Sequence, residues 1–310
     1  MHSLVITTLV SLVLLTHACG LALPKSAEVI ILAFAVSFIG LPHGALDHAV
    51  GRRLLRSFSP IFAYGVFFAA YLAVVAIVIT GWFVSPLVTV LAFFALSAWH
   101  FGLEEDERTS VNLLNWLGIV ARGGMVIWVP VAFQANEVTR LLGLILPGGD
   151  LTVASQIIEI VRALTPILFL FTFYDFVSSR KEDRTVNFLK RSKRIDQLRI
   201  FTFFVLFSLA DPLVSFAIYF CGWHSIRGLV HLREQTGWPA AKMLGRLMPL
   251  SVAALVLFGI GFLFALNRNI FSQAILQTVF VGLSAVAIPH LLLHVVTDSV
   301  RLSQVNGVVS

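Results

Sequence analysis

Apolar residues along this chain come in long blocks separated by short polar punctuation. They show neither the strict alternation of a half-buried strand nor the one-sided stripe of a surface helix. The blocks fall at 3–23, 27–50, 60–81, 83–103, 112–133, 152–176, 197–210, 213–232, 247–267 and 271–297. Most reach the roughly 18–20 residues a helix needs to cross a hydrocarbon core of about 30 Å. Backbone amides in lipid must bond internally, and runs this long suit helices rather than the short alternating strands of a barrel. The pattern therefore predicts an all-α, polytopic transmembrane helical bundle of about nine or ten membrane segments.

Two pieces of punctuation shape that expectation. Asp211-Pro212 divides the apolar stretch 197–232, because proline lacks an amide donor and disfavours helix at the residue before it. Asp211 then reads as a cap or turn residue between two crossings. The loop 178–199 carries eight Lys/Arg against three Asp/Glu, which places it in the cytoplasm by the positive-inside bias. Alternation puts Arg52, Arg53, Arg56, Arg233, Lys242 and Arg246 on the same side. The first block, 3–23, lacks a basic leading region and is long enough to span, so it reads as a retained helix rather than a cleaved signal peptide.

Composition agrees with the pattern. Of 310 residues, 58% are hydrophobic and 12% charged, and the mean hydropathy is +0.92. Soluble domains carry about 25% charged residues, so too little polarity remains for a water-facing surface. The whole chain, 1–310, reads as one integral domain of the cell's inner (cytoplasmic) membrane, crossing it many times. The net charge of +6 sits in short loops and serves orientation, not nucleic-acid binding. Cys19 and Cys221 lie in apolar runs without CxxC spacing, which argues for inert buried thiols rather than a disulfide or zinc knuckle.

Candidate chemistry rests on histidine. Seven of the nine histidines cluster in segments that also hold Pro, Gly or Asp. These are Pro42-His43-Gly44-Ala45-Leu46-Asp47-His48, Trp99-His100-Phe101-Gly102, Trp223-His224-Ser225-Ile226-Arg227, His231, and Pro289-His290 with His294. A lone membrane histidine usually hydrogen-bonds across helices, but four helices delivering histidines to one cytoplasmic-side layer point to function. Imidazole suits iron, copper, nickel or zinc. His290 and His294 share a helical face and could chelate one ion, or His294 could face the headgroups. His224 and His231 share a face too, but their Cα atoms stand about 10.5 Å apart. Asp47, one turn after His43, reads either as acceptor for the N–H of a ligand imidazole or as the partner of Arg122.

These segments resemble the Brp/Blh family of β-carotene 15,15′-dioxygenases, over roughly 38–295. The resemblance is carried by Phe38-Ile39-Gly40-Leu41-Pro42-His43-Gly44-Ala45-Leu46-Asp47, His100-Phe101-Gly102, and Tyr219-Phe220-Cys221 leading into His224-Ser225. Gly123-Gly124, Trp128-Val129-Pro130, Asn136-Glu137-Val138-Thr139 and Gln277-Thr278-Val279-Phe280-Val281-Gly282-Leu283 before Pro289-His290 add to it. It implies a non-haem Fe(2+) enzyme that uses O₂ to cleave the central double bond of β-carotene into two all-trans-retinal molecules. It also implies His43, His100 and His224 as ligands, and a retinal-binding protein as a product acceptor. The family's fourth ligand is a histidine at the position of Gly228, and here His290 is expected to take its place, with His231 as runner-up. Competing readings are a bis-histidine haem protein, a metal or proton transporter using His43, Asp47 and His100, and a Brp-like accessory membrane protein without cleavage activity. The 27 phenylalanines supply ample apolar lining for a polyene that has no polar handle, reached by a lateral entrance between helices.

Overall fold

The computed structural model describes residues 2–21, 23–104, 113–178 and 187–306, and every regular element among them is helical. Helix α1 spans His2–Ala18 and α2 spans Lys25–Ala35, followed by a π-helical turn, Val36–Gly40. Then come α3 (Leu41–His43), α4 (Asp47–Leu54), α5 (Pro60–Val84), α6 (Pro86–Glu104), α7 (Leu113–Gly123) and α8 (Met125–Ile145). The second half holds α9 (Leu151–Ser178), α10 (Asn187–Leu209), α11 (Pro212–Ala217), a π-helical segment Ile218–Ser225, α12 (Ile226–Thr236), α13 (Ala240–Leu266) and α14 (Phe271–Asn306).

Local chemistry sets these boundaries. Pro60 opens α5 behind Ser59, whose hydroxyl accepts from the Phe62 amide. Asp150 accepts from the Thr152 and Val153 amides at the start of α9. Asp211 accepts from the Leu213 amide ahead of Pro212, so the expected break between two helices is present and Asp211 is its cap. Such caps satisfy amides that the first helical turn leaves without partners.

Among the described residues, six helices are long and apolar enough to cross a bilayer, or seven if the bent pair α7–α8 counts as one span. Only 11% of the apolar window of Ala240–Leu266 and 17% of that of Pro60–Val84 is buried. Apolar side chains therefore point outward, as lipid allows and water penalises. The chain is a multi-pass α-helical membrane protein.

The segment count needs correcting in three places. The block 27–50 is not one straight span but α2, a π turn, α3 and α4 in sequence. The block 112–133 is two helices bent by 61° at Gly124, and the second continues to Ile145 through a kink at Gln134 (φ −135°, ψ 36°). The block 3–23 is a shorter apolar helix, Val5–Ala18, rather than a full-length span, and Gln197–Leu209 is short as its block implied. Glycine, proline and polar side chains that find tertiary partners tolerate such breaks inside apolar sequence. Cys221 is buried as expected, whereas Cys19 is exposed at the end of α1.

The chain divides into two compact units, Met1–Leu32 with Val90–His224 and Ala33–Thr89 with Ser225–Ser310. In the first, α8 packs on α9, α10 and α11, α7 packs on α9, and α1 packs on α10. Helices α6 and α7 meet backbone to backbone: a Cβ on Gly123 would lie 2.2 Å from both the Ala98 oxygen and the Gly102 nitrogen. Gly123→Ala is expected to cost about 1–3 kcal/mol through overpacking, read as a lower apparent melting temperature in detergent. Gly65→Ala is the control, because a Cβ there meets nothing within 4 Å. Equal melting temperatures for the two variants would refute the close approach.

The break at Asp211 is fastened from both sides within this unit. The Gln134 amide donates to the Ala210 and Phe207 carbonyls, at 2.8 and 3.2 Å, covering acceptors exposed where α10 stops. Lys25 pairs with Asp211 and lies 3.1 Å from both Glu28 and Glu137. Burial works against the Lys25 ammonium, but Asp211, Glu137 and Glu28 more than offset it and raise its pKa above the ordinary lysine value.

In the second unit, α14 packs on α5, α13 and α4, and α3 packs on α13 and α12. Trp82 Nε1 donates to Ser284 Oγ at 2.7 Å, and Tyr71 donates to the Val286 carbonyl at 2.9 Å, tying α5 to α14 at two levels.

Candidate metal-binding clusters

Each unit gathers its own group of polar side chains from the histidine motifs. In the first, His100 and Glu104 both come from α6, and His224 comes from the π-helical segment. His100 and Glu104 are four residues apart and share a face, one turn of about 6 Å along the axis. Glu104 Oε2 sits 2.9 Å from His224 Nδ1 and 3.9 Å from His100 Nε2. The two imidazole centroids are 5.2 Å apart. One donor atom from each of the three residues falls within 4.8 Å of the others.

The surroundings of His224 are aromatic. Phe101 meets its ring edge-on at 4.7 Å and meets Tyr219 at 5.4 Å, while Phe220 stacks on His224 at 5.8 Å. Residues five apart, such as Tyr219 and His224, come onto one face because the backbone here is π-helical, with i→i+5 bonding. His224 is 4% exposed, whereas the Glu104 side chain is 37% exposed. Water is thus kept from the imidazole while the carboxylate stands at the rim.

Below this group, α6 is held by its neighbours. Arg122 of α7 donates to Asp175 of α9 at 2.7 Å and reaches the Gly102 carbonyl at 3.5 Å. Arg122 therefore pairs with Asp175, which corrects the alternative that it pairs with Asp47. An arginine in an apolar helix takes the nearest buried carboxylate, and α7 packs on α9.

In the second unit, His290 Nδ1 lies 2.7 Å from Asp47 Oδ1, and both side chains are buried. Asp47 is an acceptor when ionised, so this contact puts the proton of a neutral His290 on Nδ1 and the lone pair on Nε2. Tyr71 lies 3.4 Å from Asp47 Oδ2 while donating to the Val286 carbonyl, one turn before His290. The imidazole that Asp47 meets is thus that of His290, across 243 positions of the chain.

The remaining sequence candidates are placed as follows. His43 ends α3, three residues after the π turn Val36–Gly40, and its side chain lies outside the described residues, as does that of His294. His231 is exposed on α12, and Gly228 lies one turn before it, on the same helix. Glu104 lies outside the histidine motifs, although its i+4 spacing from His100 is a usable signal in the sequence. Tyr71 carried no signal, because a tyrosine in an apolar run looks like any other.

A family profile described as Beta-carotene 15,15'-dioxygenase matches residues 34–298. A protein of that name from the uncultured marine bacterium 66A03 is 33% identical over 263 residues, covering 83% of this chain and 90% of the relative. A "probable beta-carotene 15,15'-dioxygenase Blh" from Halobacterium salinarum is 23% identical over 279 residues, covering 81% of this chain and 79% of the relative. No solved structure matches.

Proposed function

The chain belongs to the β-carotene 15,15'-dioxygenase family, and from that premise we propose that it is a non-haem iron(II) enzyme of the cytoplasmic membrane. It takes β-carotene and O₂ and splits the central 15,15′ double bond, one oxygen atom going to each half to give two all-trans-retinal molecules. The observation that carries this reading is the pairing of His100 and His224, both inside the family match, in aromatic surroundings within one unit.

The donors present suit iron. Neutral imidazoles are good ligands for it, and the His224 ring is buried beside Phe101 and Phe220. His100 and His224 would hold the metal; His43 and His290 belong to the proposal on the sequence alone. When bound, iron(II) supplies the redox chemistry that lets O₂ react with a closed-shell alkene. The chain's own residues prepare the ground for it. Asp47 fixes the His290 ring and its tautomer, and Phe101 and Phe220 shield His224 from water.

Recognition of a polyene has only shape and apolar lining to use. The first unit provides such lining in an apolar hollow of about 420 Å³ between α8, α9 and α10, where Trp128, Phe133, Phe169 and Phe204 face it. A substrate dissolved in the bilayer would reach it laterally.

Gly228, where the family resemblance calls for histidine, favours a second reading: an accessory protein that keeps the fold without cleaving carotene. Expression in β-carotene-producing cells, followed by pigment extraction, separates the two. The enzyme reading expects carotene to fall and all-trans-retinal to appear in a ratio of two to one. Unchanged carotene with the protein inserted in the membrane would refute cleavage.

A further inference from the structure

We propose that Glu104 is itself a metal ligand, acting beside His100 and His224. The inference rests on the iron reading above but assigns a residue that the histidine motifs do not include.

Distance is the first argument. First-row ions bond imidazole nitrogen and carboxylate oxygen at about 2.0–2.2 Å, so donor atoms on one ion stand roughly 3–4.4 Å apart. Glu104 Oε2 lies 2.9 Å from His224 Nδ1 and 3.9 Å from His100 Nε2, and the three donors span no more than 4.8 Å. Small side-chain adjustments bring such a set around one ion.

Chemistry is the second. Imidazole and carboxylate together are ligands that many non-haem iron(II) oxygenases use. The carboxylate offsets part of the metal's double charge in a low-dielectric setting, which two neutral imidazoles cannot do.

Placement is the third. His100 and Glu104 stand one turn apart on α6, and both approach His224. The close approach of Gly102 and Gly123, with Arg122 at the Gly102 carbonyl, fixes the turn that carries both His100 and Glu104.

The rival account is that Glu104 only accepts the Nδ1 proton of His224 and orients the ring. Glutamine separates the two, because its amide oxygen can accept that proton but is a poor metal ligand. The experiment uses full-length protein in detergent, reconstituted with iron(II) without oxygen and separately with cobalt(II). Bound metal is counted by elemental analysis, and the cobalt ligand-field spectrum is recorded. If Glu104 is a ligand, Glu104→Gln and Glu104→Ala both weaken metal retention by more than about 100-fold, beyond the roughly 10–100-fold typical of an outer partner. Glu104→Asp recovers part of the binding, with a shifted cobalt spectrum. Near-normal retention in Glu104→Gln overturns the proposal, as does retention in Glu104→Ala. The partly exposed side chain of Glu104 makes misfolding of the glutamine variant unexpected, and gel filtration checks it. Retinal formation by the unaltered protein in carotene-producing cells tests the enzyme reading separately, so the two can fail independently.

Discussion

His100→Ala and His224→Ala are each expected to lose bound iron and to abolish retinal formation, with the membrane-inserted amount unchanged. Each removes an imidazole donor from a group in which one carboxylate oxygen lies within 3.9 Å of both rings. Loss of a ligand should exceed the roughly 10–100-fold loss of affinity seen when an outer partner is removed. His224→Ala has a second consequence, since the buried ring also fills space against Phe101 and Phe220. His224→Gln therefore accompanies it as a bulkier replacement. Normal iron content together with normal turnover in either alanine variant would remove that residue from the site. His43→Ala and His290→Ala carry the same expectation, and Gly228→His added to His290→Ala tests whether the position after His224 can still accept a ligand.

The largest effect on stability is expected at Asp175. Its side chain is fully buried and holds Arg122, itself only 9% exposed, at 2.7 Å. Removing one member of a buried ion pair leaves the other charge uncompensated, at a cost of about 3–5 kcal/mol. Asp175→Ala should therefore lower the apparent melting temperature sharply when scans share one rate, since unfolding in detergent is often irreversible. Removing both charges, Arg122→Leu with Asp175→Leu, should recover most of the loss, because a buried pair often does no better than apolar side chains of similar size. A double variant as unstable as Asp175→Ala would show that packing around Asp175, and not the unpaired guanidinium, sets the cost. Arg122 also reaches the Gly102 carbonyl, so the single variant should weaken metal retention through the turn that holds His100 and Glu104.

Both effects depend on residues whose importance was unevenly visible in the sequence. His100 and His224 stood out because imidazole is costly in an apolar run. Asp175 did not, since an acidic residue near the end of a long block reads as an interfacial group. Asp47 was one open reading for the partner of Arg122, and only the packing of α7 on α9 directs the guanidinium to Asp175 instead. Glu104 lies between these cases: its spacing from His100 is local, but its contact with His224 joins two segments far apart in the chain.

The sequence by itself determined the properties that follow from short-range chemistry. Apolar run length set the membrane-spanning helices, and Asp211-Pro212 set the break between α10 and α11, because amide satisfaction and proline geometry act within a few residues. The histidine motifs were legible for the same reason. What only the tertiary structure decided was partnership and phase. Asp47 meets His290 across 243 positions, and no local rule chooses between His290 and Arg122 for it. The π turn before His43 and the π segment holding His224 change which side chains share a face, and apolar periodicity alone does not distinguish them from α-helix. Helix packing supplies the contacts that make such wider turns stable, so their place is set by the neighbours and not by the residues within them.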